Sequence, residues 1–153
     1  MRKSCRSVRK SQGRCSEVAD STWAMKTEDT LFGLFKHEMN LQFKSTYASL
    51  VITQDEEASG TAKFPTILVR QVSFSEAGRD IEGNTINAIR PTYQITITFK
   101  GDRDKLVNLT AAAVNFYKSK RFEVSNVVYQ ISNGIRTAIF RATRVIGSGD
   151  RFN

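Results

Sequence analysis

The sequence has little of what catalysis or metal binding requires. It holds one histidine, His37, and two cysteines, Cys5 and Cys15. A nucleophilic triad would need His37, which has no Ser, Cys or carboxylate partner at a fitting spacing. A C-x9-C pair with no further Cys or His beside it is a poor metal signature, and reduced thiols are the default. There is no CxxC pair, no HExxH, no GxSxG and no Walker loop. Gly78 and Gly83 are not followed by the Lys-Ser/Thr and helix that a phosphate loop needs. No apolar run approaches the roughly 18–20 residues of a membrane span, and the basic N-terminus lacks the apolar segment of a secretory signal. What remains is a binding or structural module, with no enzyme activity, cofactor or metal expected.

Length and charge fit that reading. The chain has 153 residues, 40% hydrophobic and 25% charged, enough for one ordinary domain with its own core. The net charge of +8 is uneven. Residues 1–24 hold six basic residues against Glu17 and Asp20, a net +4, and the remaining 129 residues supply the other +4. Residues 1–24 are rich in Arg, Lys and Ser, a composition that buries too little surface to order itself. They are expected to be a disordered basic arm, with Trp23 as one residue able to anchor on the domain. Residues 25–147 form a single α+β domain in this reading, and 148–153 a polar tail.

The organising stretch runs from Thr92 to Arg121. Tyr93, Ile95, Ile97 and Phe99 alternate with Thr92, Gln94, Thr96, Thr98 and Lys100, the period of a strand with one buried face. Asp102 or Asp104 can cap the following helix, which runs to Ser119 with Leu106, Leu109, Thr110, Ala113 and Tyr117 on one stripe. Lys118, Lys120 and Arg121 suit the negative end of its dipole.

Upstream, Thr27 is expected to cap a first helix carrying Leu31, Leu34, Phe35, Met39, Leu41 and Phe43. His37 falls on its polar side. Tyr47–Thr53 reads as a strand, Gln54–Lys63 as an exposed acidic connection, and Phe64–Phe74 as a strand started by Pro65. Ser75–Asn87, about 13 residues, reads as a long polar loop. Downstream, Phe122–Ile131 and Ile135–Ile146 flank Asn133-Gly134, a strong hairpin signal. The order is α-β-β-β-α-β-β, and the economical packing is a mainly antiparallel sheet of 4–5 strands with both helices on one face. Adjacent carboxylates such as Asp55, Glu56 and Glu57 read as a solvated loop before they read as a metal site.

From Met25 onward, about 120 residues, the order of features resembles the tail terminator, or tail completion, proteins of long-tailed bacteriophages. The resemblance rests on several short pieces. Lys63-Phe64-Pro65-Thr66 opens a strand, and a polar loop runs through Gly83-Asn84. Then come the strand Arg90-Pro91-Thr92-Tyr93-Gln94-Ile95-Thr96-Ile97, the helix through Ala111-Ala112-Ala113-Val114, Phe122, and a closing strand with Arg136 and Arg141. It implies a structural virion subunit that forms a ring, usually a hexamer, at the head-proximal end of the tail tube. The implied partners are further copies of the chain, the tube protein and the head–tail connector, with DNA only passing through the lumen and no membrane contact. Assembly would take place in the host cytoplasm. The residues expected at those contacts are Asp55, Glu56, Glu57, Glu76, Arg79, Asp80, Glu82 and Asn84. The alternatives are another head–tail neck adaptor or a small nucleic-acid-binding protein acting through the basic arm.

Overall fold

The computed structural model describes residues 21–55, 62–79 and 85–152. Two helices, α1 (Thr22–Phe43) and α2 (Arg103–Ser119), cover one face of a sheet. Its strands are β1 (Val51–Thr53), β2 (Thr66–Arg79), β3 (Ile86–Lys100), β4 (Glu123–Val124), β5 (Val128–Ser132), β6 (Ile135–Thr143) and β7 (Ile146–Gly147). The lateral order is β1-β2-β3-β6-β4. β4 and β5 lie end to end along one edge of β6, while β7 continues the line of β6 and pairs with the first residues of β3. Every pairing is antiparallel except β1 with β2. The class is α+β with a mainly antiparallel sheet; the order follows the expected α-β-β-β-α-β-β except that each of the last two strands is divided, the Ile135–Ile146 strand breaking at Arg144-Val145 into β6 and β7. The seven strands occupy five lateral positions.

The central alternation behaves as its period requires. Tyr93, Ile95, Ile97 and Phe99 are buried under the helices, and Thr92, Gln94, Thr96 and Thr98 face the other way. From α2, Leu106, Leu109, Thr110, Ala113, Phe116 and Tyr117 are buried against this face. Phe35, Phe116 and Tyr117 form a triangle of rings with centroids 5.2–5.5 Å apart, and Phe122 lies 5.4 Å from Tyr117. Aromatic groups at such spacing contribute beyond their buried area.

α2 ends in a Schellman turn. Arg121 adopts φ 63°, its N–H donates to the Lys118 carbonyl (2.9 Å), and the Phe122 N–H donates to the Tyr117 carbonyl (3.0 Å). At the other end Asp102 occupies the N-cap position without a side-chain hydrogen bond. The Asn133-Gly134 hairpin has φ 50° and 76°, both in the left-handed region that two-residue turns require.

Besides the β6–β7 break, four boundaries differ from expectation. First, α1 starts at Thr22, so Trp23 and Ala24 belong to the helix and not to the arm. The buried stripe is Ala24, Thr27, Leu31, Phe35 and Met39, at intervals of three and four. Thr27 therefore faces the sheet, and its hydroxyl donates to the Trp23 carbonyl (2.9 Å) instead of capping. Leu34 and Leu41, which the hydropathy pattern places on the stripe, are exposed.

Second, Tyr47 lies outside β1. Its N–H donates to the Phe43 carbonyl (2.8 Å) in the turn after α1, and its ring packs edge-on against Phe99.

Third, Ser75–Asn87 is no 13-residue loop. β2 continues to Arg79 and β3 begins at Ile86, in register from Ser75↔Arg90 to Arg79↔Ile86 through bulges at Glu76/Gly78 and Gly78/Arg79. This end of the hairpin is held by backbone pairing and has no regular apolar alternation to reveal it.

Fourth, the Phe122–Ile131 strand is divided into β4 and β5. The Ser125 N–H donates to the Arg141 carbonyl (2.8 Å), and the Ser125 hydroxyl accepts from the Arg141 N–H (2.9 Å).

After β7 the chain folds back. The Arg144 guanidinium lies 5.8 Å from the Phe122 ring and 5.7 Å from that of Phe152, donates to the Lys120 carbonyl and pairs with Asp150. Phe152 is buried although the last six residues read as a polar tail. Among the described residues no helix is long and apolar enough to cross a membrane.

Candidate functional site

Asp55 is exposed just beyond β1, where its N–H donates to the Thr53 hydroxyl (3.0 Å). Glu76 is an exposed residue of β2 opposite Ile89, and Arg79 ends that strand opposite Ile86. Because β1 runs parallel to β2, Asp55 and Glu76 lie toward the same end of the sheet. Extending the register puts Asp55 beside Arg70, so Glu76 is six residues, or about 20 Å, further along. The structure therefore gives these residues a common end of the sheet but not a common site. Glu56, Glu57, Asp80, Glu82 and Asn84 lie outside the described residues. Among the described residues no three His, Cys, Asp or Glu side chains converge as metal ligands would.

A groove of about 570 Å³ runs between the helices, floored by Leu34, Ala111, Ala112 and Phe116 and rimmed by residues including His37 and Lys120. His37 is exposed there, as its place on the polar side predicts.

Among the described residues two buried hydroxyls have no hydrogen-bond partner, those of Tyr93 and Tyr117. Burial pushes both phenols well above the usual range. The Glu28 carboxylate adds to the effect at Tyr93, and Tyr93 adds to it at Tyr117. Both rings are sealed between helices and sheet, so these groups belong to the core and touch no solvent-filled cleft.

Two further surfaces stand out, one missed in the sequence and one only partly legible in it. One is the β5 edge. Ser125–Ser132 holds eight residues without a charge, and Val128, Tyr129 and Ile131 are 52%, 43% and 62% exposed. β5 pairs only with β6 among the described strands. A hollow of about 110 Å³ lies beside it, lined by Arg103, Leu106, Tyr129, Gln130, Ile131 and Arg136. Edge strands are ordinarily blunted by charge, proline or a bulge, and this one carries no charge and no proline along its five residues. The signal was present: Val127-Val128-Tyr129-Gln130-Ile131 has no polar face, so its apolar residues cannot all be buried by one layer.

The other surface is the sheet face turned away from the helices. Cross-strand register arranges it in rows: Thr66-Thr98-Thr137-Gln130, then Leu68-Thr96-Ile139-Val128, then Arg70-Gln94-Arg141. The Arg141 Nε–H donates to Gln94 Oε1 (3.2 Å). Next come Ser73-Thr92-Thr143-Glu123 and Ser75-Arg90. The Thr92 and Thr143 hydroxyls are 3.1 Å apart, and Thr143 donates to the Pro91 carbonyl (3.0 Å). The Thr92/Gln94/Thr96/Thr98 row is legible in the sequence as a polar, uncharged face suited to contact, while the cations around it lie on strands distant in sequence and are not.

Comparison with known proteins adds no assignment: no protein-family model matches the chain, and no curated protein matches it either.

Proposed function

We propose that this chain is a structural subunit of a phage neck, a tail terminator that assembles with copies of itself into a ring on the tail tube and joins it to the head connector. The observation that carries the reading is the β5 edge. An uncharged strand with unpaired edge groups and three exposed large apolar side chains suits a permanent contact better than open solvent. A ring needs heterologous contacts that close, and a sheet open at an edge can supply one half of each. The resemblance of the element order to tail terminators supplies the ring itself. In this proposal Asp55 and Glu76 meet the tube or the connector, because both lie toward one end of the sheet.

The test is light scattering with negative-stain microscopy of the full chain over a concentration series, beside Tyr129→Asp/Ile131→Asp. Rings in the parent and monomers in the variant are the expected pair of results. A variant that assembles as the parent does would remove β5 from the interface, and a parent that stays monomeric at every concentration, alone and with tube subunits, would end the ring reading.

A further inference from the structure

The open sheet face is dominated by one sign of charge. Arg70, Arg90, Lys100 and Arg141 are exposed on it, against two carboxylates among its described residues, Glu123 and, beside Arg70 at the β1 edge, Asp55. The helical layer is mixed by contrast: α1 carries Lys26 and Lys36 against Glu28, Asp29 and Glu38. Arg90, Lys100 and Arg141 have no ion-pair partner among the described residues. Between the cations lie Thr92, Gln94, Thr96 and Thr98, with Leu68, Ile139 and Val128 beside them, and the hydroxyl and amide groups donate readily to phosphate oxygens.

We infer that this face binds the phosphate backbone of duplex DNA without reading its sequence. Three features select that ligand. Arg90 and Lys100 are ten residues apart on β3, about 33 Å at the rise of a strand, close to one turn of the B-form duplex. Arg70 and Arg141 lie between them along the strand, separated by two strand spacings or about 10 Å, so the cations bracket an area the size of one duplex turn. The described residues of the face include no aromatic side chain, so it has no platform on which unpaired bases could stack. A sheet face also presents no helix or ribbon to enter the major groove. The ligand contact is therefore electrostatic and indifferent to sequence. The inference does not depend on the ring, since a monomer exposes the same face.

The test uses the full chain and a fluorescent duplex two turns long, with anisotropy read over a salt series. Three to four phosphate contacts give a slope of log affinity on log salt of about −3 to −4. Arg90→Glu/Arg141→Glu is expected to weaken binding at least about tenfold, and Arg90→Gln/Arg141→Gln to reduce the slope by about one for each arginine removed. Lys118→Glu on the helical side should leave binding within about twofold of the parent, since a charge there is more than a screening length from the ligand. A full chain with Arg2, Lys3, Arg6, Arg9, Lys10 and Arg14 all changed to Ala separates the arm from the face. Residual binding that still responds to Arg90→Glu/Arg141→Glu supports the inference. Binding abolished by the arm substitutions, binding untouched by the face substitutions, or tighter capture of a single strand of the same length would each overturn it.

Discussion

Tyr93 and Tyr117 bring their hydroxyls into the core without partners among the described residues. A buried hydroxyl left unpaired costs its hydration, about 1–3 kcal/mol, and removing it leaves the ring's packing intact. Tyr93→Phe and Tyr117→Phe should therefore be neutral or stabilising by up to about 1 kcal/mol in urea unfolding, whereas Tyr117→Ala should cost about 3–5 kcal/mol. The same phenols set an alkaline limit. Their folded pKa values are raised above the ordinary 10.0, so the stability they supply is fully present below pH 10 and is lost as pH rises above it. Each phenol should contribute a loss of about 1.4 kcal/mol per pH unit in that range, and each Phe variant should remove its own share of the slope. Arg121 is the opposite case, a residue whose backbone is at odds with its side chain. Its φ of 63° is one that glycine adopts without strain, so Arg121→Gly should stabilise the fold by about 0.5–1 kcal/mol in thermal unfolding.

At the scale of the element, legibility followed the source of the pairing. β3 was readable because its odd residues meet the helices and its even residues do not, which imposes a strict period of two. The Asn133-Gly134 turn was readable because few residue pairs accept two positive φ values. The Ser75–Arg79 end of β2 was not, because it is paired through backbone groups and interrupted by bulges that scramble side-chain alternation. α1 was half readable. Leu31 and Leu41 look alike in the sequence, yet the stripe that begins at Ala24 passes through Leu31, which is fully buried, and misses Leu41, which is 69% exposed. Leu31→Ala should cost about 2–5 kcal/mol, and Leu41→Glu should stay within about 0.5 kcal/mol of the parent, both measured by denaturant midpoint at constant m. Equal losses at the two positions would mean that α1 is rotated from the orientation described. Of the expected contact residues, Asp55 and Glu76 are exposed, but Glu76 lies on a paired strand and not on a loop.

For the whole molecule, the β5 edge and the open sheet face differ in physical character, and salt separates them. The β5 edge would associate through apolar side chains and backbone hydrogen bonds, neither of which weakens much with ionic strength. The open face would hold duplex DNA through charge, which counterions displace. Between about 50 and 200 mM salt, self-association of the full chain should change by no more than about twofold, while duplex affinity should fall roughly 50- to 150-fold for three to four phosphate contacts. Combining the variants makes the test reciprocal. Tyr129→Asp/Ile131→Asp should abolish association yet bind duplex with the parent's salt slope per chain, and Arg90→Glu/Arg141→Glu should lose duplex binding yet still associate. If one pair of substitutions removed both properties while circular dichroism stayed unchanged, the two surfaces would be parts of a single site, with DNA bound only by the assembled form.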